Sequence, residues 1–524
     1  MPVDFKHPQY TRSADRWRRC RTATAGEDEV KMGAEMHLPR LKGQSEPEYE
    51  AYKARAQFFG SVDRTRIALS GAIHRKSPSV EFPDSEREML DSLGKRRESL
   101  DALANMITDQ VLTVGRCGIM VDAQISAGPD RAPQPYITQY LAENITNWHE
   151  EVIDDKLQLT MVVLREVSME SAGDDEFDKV DVERYRVLRL RKGGVNFEET
   201  EDENGDTRRA VIAGEGDGYT YYQEIYEKRE LGEGDNMSEE WVLVQVIVPK
   251  GIGGRDLDSI PFIFVNPTNC GPDIEKPPLL DLADVAFSYY RTSADLEHGR
   301  HFTALPTPWA AGFDAKGALF LGSSRAWVSE NAQAKAGFLE FTGAGLSSLF
   351  DGLQEKKKEM AVLGGRLLEE SRAGVEAAET HKLRQNGESS VLANISMSVS
   401  EGITWALKFA LMWIGKEEKA EDISFELNRD FNIIGLSSQD LTALMGAYQA
   451  GLISWPTFFY NIQRGELIPD GITADDELER IALDGPQLAV GPAEDLSEEE
   501  PEEEEEPDEE EDEEDEEEDE ETEA

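Results

Sequence analysis

The chain has 524 residues, 39% hydrophobic and 8% aromatic, which supports a buried core in two or more domains and excludes a protein disordered throughout. Its formal net charge is −53, and 25 of the 107 acidic residues fall in Glu494–Ala524, a stretch without Lys or Arg. The remainder therefore carries 82 acidic against 54 basic side chains, and the C-terminal run, which repels itself and buries nothing, is expected to be a disordered tail over 491–524.

Cys20, Cys117 and Cys270 lie far apart without metal-type or redox-type spacing, so reduced thiols in a cytoplasmic protein are expected. The basic N-terminus (Lys6, Arg12, Arg16, Arg18, Arg19) is not followed by the apolar run of a secretory signal. Ile403 to Ile414 is the longest apolar stretch, is interrupted by Lys408, and is too short to span a bilayer. A soluble protein with no membrane partner is the expectation.

In chain order, residues 1–45 read as a polar, irregular arm that orders only against something else. Ser85 and Glu88 make a capping-box pattern after Phe82-Pro83, and Leu100, Leu103, Ile107 and Val111 recur at helical spacing, so a helix is predicted to run into Gly115-Arg116-Cys117-Gly118. A short strand, Ile119 to Val121, follows. Between Ile137 and Val265 the runs Leu157–Val167, Val182–Leu190, Tyr219–Tyr226 and Trp241–Val248 are strand-like. Asn204-Gly205 and Gly214–Gly218 supply turn signals, so an antiparallel meander is predicted, with solvated acidic tips at 170–181, 198–206 and 232–240.

Helical spacing returns at Asp281–Glu297, with Gly299 placed to end the helix. Residues 300–345, rich in Gly, Pro, Trp and Phe, read as a compact insertion. A second long helix is predicted from about Leu346 to Glu370, broken near Gly364-Gly365, and a third over Ser389–Ile414. A strand follows at Ile423–Leu427. Beyond Leu436, Gly451 stops one short helix, Ser454 and Pro456 begin another that Gly465 ends, and Thr473 with Asp476 begins a last acidic one.

The motifs of common hydrolases are missing: no P-loop, no His-Glu-x-x-His zinc helix and no Gly-x-Ser-x-Gly elbow. His298 and His301 have a spacing that allows a metal but lack further ligands, so a polar turn is expected. Asp202, Asn204 and Asp206 imitate a calcium loop, yet Thr207 stands where that loop needs Gly. Gly214–Gly218 carries two acids and precedes a strand, which opposes phosphate binding. No cofactor, no metal and no catalytic residue is expected. Arg116 reads either as a structural ion pair or as a subunit contact through its planar fork. Lys356, Lys357, Lys358, Arg366 and Arg372, with Lys382 and Arg384, form the one basic concentration in the second half. They are candidates for DNA phosphate contacts or for a solvated helix face paired with Glu355, Glu359, Glu369 and Glu370.

Taken together, Tyr52 to Pro78 (Arg55, Phe58, Phe59, Arg64, Thr65, Leu69-Ser70-Gly71, His74 to Pro78) and Leu112 to Asp122 resemble the opening domain of tailed-bacteriophage portal proteins, in a branch long catalogued only as a domain of unknown function. Further matches follow in order. They are Pro135-Tyr136-Ile137 with Tyr140, Glu143, Ile145, Asn147 and Trp148; Ile260-Pro261-Phe262 with Asn266-Pro267; and Pro278 through Pro308. The resemblance spans roughly residues 45 to 480, and its order carries more weight than any one piece.

The resemblance implies an α+β portal fold. Its parts are an N-terminal arm (1–45), an α/β and β-meander wing (46–276), a stem helix (277–299), a clip (300–345), a returning stem helix and tunnel region (346–388), a wing closure (389–435), a helical crown (436–490) and the acidic tail. It further implies a homo-oligomeric ring, a dodecamer, in the virion and in the host cytoplasm during assembly. Its partners would be double-stranded DNA in the channel, the terminase large subunit, head-completion or tail proteins and the major capsid protein. No enzymatic activity is expected. A rival expectation from a different class is an acidic chaperone or DNA mimic that binds basic partners through its tail.

Overall fold

In the computed structural model, side chains spaced by three and four along the first residues turn inward: Tyr10, Ser13, Trp17, Cys20 and Ala23 are buried along helix α1 (Pro8–Ala25). This corrects the expected arm. The stripe was obscured because it mixes Ser and Cys with aromatics among many arginines, whereas periodicity reads best from aliphatic residues. The outer side of α1 is tied by Arg19 to Asp284 and by Arg21 to Glu143, the latter at 2.7 Å. The structure describes residues 2–124, 134–171, 177–201, 207–231, 238–304, 307–313, 326–339, 345–365, 378–429, 431, 438–465, 467–468 and 472–484.

Helices α2 (Glu27–Met32), α3 (Glu46–Arg55) and α4 (Ser61–Ile73) precede strand β1 (Ser79–Glu81). Ser45 and Glu48 form a capping box at the start of α3. Helix α5 (Leu100–Val114) starts later than Ser85 and Glu88 predict. Residues Asp84–Ser92 form a 3₁₀ stretch that buries no side chain, and Ser99 caps α5 by accepting from the Ala102 amide at 3.3 Å. A cap pattern without an apolar stripe directly behind it has nothing to dock. Gly115 ends α5 in the left-handed region at φ 71°, and the chain enters β2 (Cys117–Gln124).

The strands that follow are β3 (Gln134–Leu141), β4 (Ile145–Ile153), β5 (Lys156–Ser171), β6 (Lys179–Lys192), β7 (Val195–Glu201), β8 (Thr207–Ala213), β9 (Tyr219–Leu231), β10 (Ser238–Ile247) and β11 (Phe262–Val265). They form an antiparallel three-stranded sheet of order β11-β2-β3 and an antiparallel five-stranded sheet of order β10-β9-β6-β5-β4. The β7–β8 hairpin is a separate excursion. Asp202, Asn204 and Asp206 lie outside the described residues. The glycines at 214–218 close a tight crossing instead: Gly214 N donates to Gly194 O at 2.6 Å and Gly193 N to Gly218 O at 2.7 Å.

After β11 come α6 (Leu280–Ala304), the hairpin β12 (Thr307–Ala311) and β13 (Lys335–Leu339), α7 (Leu346–Met360), α8 (Ala378–Trp413) and β14 (Ser424–Glu426), which pairs with β1 across most of the chain. Helix α8 crosses the three-stranded sheet, with Ile395, Val399, Ile403, Ala406 and Ala410 at 0–1% exposure. The core is continuous from Tyr10 to Leu427. Mixed helix and antiparallel sheet make the chain α+β.

Residues Met1–Gly435 form one compact unit and Leu436–Ala524 another. The second contains α9 (Ser438–Gln449), α10 (Trp455–Arg464) and α11 (Ala474–Asp484), in which Phe458 and Phe459 are buried and Tyr448 stacks on Phe458 with centroids 4.7 Å apart. The acidic run from Glu494 lies outside the described residues.

Candidate functional site

Helix α6 is buried through most of its length, with Leu282, Ala283, Ala286, Phe287, Tyr290 and Ala294 at 2% exposure or less. Its last turns and α7 run together as an antiparallel pair. Gly299 faces Leu346, Arg300 lies near Phe350 at 5.8 Å from the ring centroid, Thr292 accepts from Lys356 Nζ at 2.8 Å, and Tyr289 lies below Lys357 at 5.8 Å. Partners descend along α6 as they ascend along α7. Gly299 does not end the helix, as its position predicted. It continues the helix and admits Leu346, because a Cβ there would stand 2.6 Å from Leu346 Cδ2.

Between these helices, β12 and β13 pair with Thr307 opposite Leu339 and Ala311 opposite Lys335. The hairpin keeps large apolar groups in solvent: Trp309 is 43% and Phe338 56% exposed. The helix pair is rooted in the core, and the hairpin that lies between its helices in sequence leaves these apolar side chains exposed, as a contact surface would.

The basic concentration divides. Lys356 is engaged by Thr292, and Lys357 lies 5.4 Å from the Phe59 ring centroid, so both are half-buried against their own chain. Lys358 is exposed. Arg366 and Arg372 lie outside the described residues, and Lys382 and Arg384 belong to α8.

Arg116 is 0% exposed within its own chain, which leaves its guanidinium no surface for the subunit contact considered above. Nor does it form an ion pair among the described residues. Its Nη1 donates to the carbonyl of Pro272 at 2.8 Å, that of Asp273 at 3.3 Å and Asn266 Oδ1 at 3.5 Å. Its Cζ lies 4.1 Å from the Phe264 ring centroid and 4.5 Å from that of Trp148. Burial lowers its pKa to about 9, only partly opposed by nearby Cys117 and Asp273. The segment it holds, 266–277, leads into α6, and Ser398 Oγ of α8 donates to Asn266 O at 2.7 Å. Arg116 thus anchors the segment that leads into α6, a role that sequence could suggest only through its place between two glycines.

His298 and His301 do not converge on a metal. His298 packs edge-on against Tyr52 at 5.2 Å, His301 Nε2 lies 3.2 Å from Arg55 Nη2, and no metal-ligating cluster occurs among the described residues. Tyr52 donates to Asp295 at 2.6 Å, closing α3 onto α6. The thiols of Cys20, Cys117 and Cys270 are unpaired, and burial pushes each up to about 12. No described helix is long and apolar enough to cross a membrane.

Residues 278–414, about a quarter of the chain from the start of α6 to the end of α8, match a family described as a domain of unknown function, DUF4055. No curated protein matches the chain. Solved structures similar to it come from gene transfer agent particles. The neck of an empty particle computed with C6 symmetry is 11% identical, covers 78% of this chain and 91% of that one, and has a TM-score of 0.36. The virion of a native particle is 10% identical over 84% and 99%, with a TM-score of 0.38. The neck of a native particle computed with C12 symmetry is 11% identical over 83% and 98%, with a TM-score of 0.37.

Proposed function

We propose that this chain is the subunit of a phage-type portal: a cyclic homo-oligomer of about twelve copies at one capsid vertex, through which double-stranded DNA enters and leaves. The observation that carries the reading is the α6–α7 helix pair with the exposed β12–β13 hairpin between its helices in sequence, rooted in the core through Arg116 and Tyr52 and occurring where the order of portal-like motifs leads one to look for stem and clip. In this reading the exposed hairpin docks the terminase large subunit during packaging and the head-completion or tail proteins afterwards, and the body contacts the major capsid protein. The chain itself catalyses nothing. An acidic chaperone acting through its tail has no need of a hairpin with exposed Trp309 and Phe338 between two core-rooted helices, which favours the portal reading over that rival.

The test replaces 302–343 with a short flexible linker. The body is expected to stay folded, because the core is built from other elements, while terminase or tail docking is lost. Undiminished docking would remove the role assigned to the hairpin.

A further inference from the structure

Lys95, Arg96 and Arg97 are three consecutive exposed cations, and none forms an ion pair among the described residues. They sit on a stiff frame. Gly94 N donates to Glu98 O at 2.9 Å, Arg97 N to Gly94 O at 2.8 Å and Arg96 N to a Glu98 carboxylate oxygen at 2.8 Å. Ile137 N donates to Leu93 O at 2.8 Å and Lys95 N to Ile137 O at 3.1 Å, so the turn is stitched to the free edge of the three-stranded sheet at β3. Leu93 beneath it is 0% exposed.

Arg97 occupies the left-handed region at φ 66°. Glycine is favoured there, since a Cβ meets the following carbonyl oxygen and destabilises the conformation. The Asp154-Asp155 turn shares positive φ, but Asp tolerates it. The Arg97 side chain recovers nothing from its own chain: it is exposed and has no hydrogen bond or ion pair among the described residues. A position in the left-handed region whose side chain has no hydrogen bond or ion pair among the described residues points to a contact outside the chain. Lys95 also feels the Glu166 carboxylate of β5.

We infer that the Gly94–Glu98 turn is a contact site for the phosphate backbone of double-stranded DNA. The inference rests on the portal reading for the presence of DNA. Guanidinium forks match phosphate geometry, and a dense linear polyanion offers counterion release that isolated carboxylates do not. The rigid frame presents the three charges without a folding transition.

The test uses the full chain and a fluorescein-labelled DNA duplex of about 30 base pairs, followed by anisotropy from low to moderate salt. Arg97→Gly and Arg96→Ala are each expected to weaken binding about three- to tenfold and to lower the slope of log affinity against log salt by about one. Arg97→Gly is also expected to keep or raise the unfolding midpoint, because glycine relieves the left-handed conformation. Wild-type binding in both variants would overturn the inference. So would a lowered midpoint in Arg97→Gly, which would make the arginine structural. A 31-residue poly-glutamate probe serves as the competitor: loss of its binding with DNA binding unchanged would assign the turn to an acidic protein segment and overturn the DNA site. Electron microscopy of the same samples separates the two claims, since rings with unaltered DNA binding refute only the turn, whereas absence of rings refutes the portal reading.

Discussion

Gly402 of α8 lies so close to Val265 of β11 that a Cβ on the glycine would stand 2.6 Å from Val265 Cγ2. Val265 is 0% exposed and β-branched, so it has neither room nor a free rotamer to retreat. Gly402→Ala is therefore expected to destabilise the first unit by about 1–2 kcal/mol, an overpacking cost partly offset by the helix preference of alanine. Combining it with Val265→Ala should cost less than the sum of the two single changes, measured by chemical denaturation. Simple additivity would mean that the helix and sheet are not in direct contact there.

Arg116 makes a contrasting prediction. Arg116→Ala removes the filler between Phe264 and Trp148 and leaves the Pro272 carbonyl without its donor, an expected loss of about 3 kcal/mol or more. Arg116→Met keeps the volume and removes a buried charge that forms no ion pair among the described residues, so it should cost less. Arg116→Lys loses the flat face that stacks on both rings and should not rescue. Equal stability of Lys and Arg forms would show that stacking contributes nothing.

The pH dependence follows from four histidines. His7, His37, His74 and His298 bind protons more weakly than free histidine, in each case chiefly through burial. Below about pH 6.5 the unfolded chain therefore takes up more protons than the folded one, and stability falls as pH drops through that value. His37, stacked on Phe287 with centroids 4.6 Å apart, is the clearest case. His37→Phe keeps a ring there and removes the titration, so midpoints measured at pH 7, 6 and 5 should decline less steeply than in the parent. An identical decline would place the titration elsewhere.

The sheet region and the C-terminal helices were legible because their signals are local. Val182–Leu190 lies within β6, and Gly451, Ser454 and Gly465 bound α9 and α10. What failed depended on tertiary partners. The mixed stripe of α1 becomes a core face only when α5 and α6 cover it. Gly299 looks like a stop until Leu346 is known to need its space. Arg116 between two glycines says nothing of the carbonyls at 272 and 273, which come more than 150 residues later. The Lys356–Lys358 run suggested a channel face, yet α6 takes up Lys356, and only packing reveals that.

The most direct test of the account is negative-stain electron microscopy of the purified full chain, with mass measured in solution on the same sample. The portal reading predicts closed rings of about twelve subunits with a central hole wide enough for a DNA duplex, and the corresponding mass. Monomers that persist at high concentration across several salt conditions, or open filaments in place of closed rings, would contradict it.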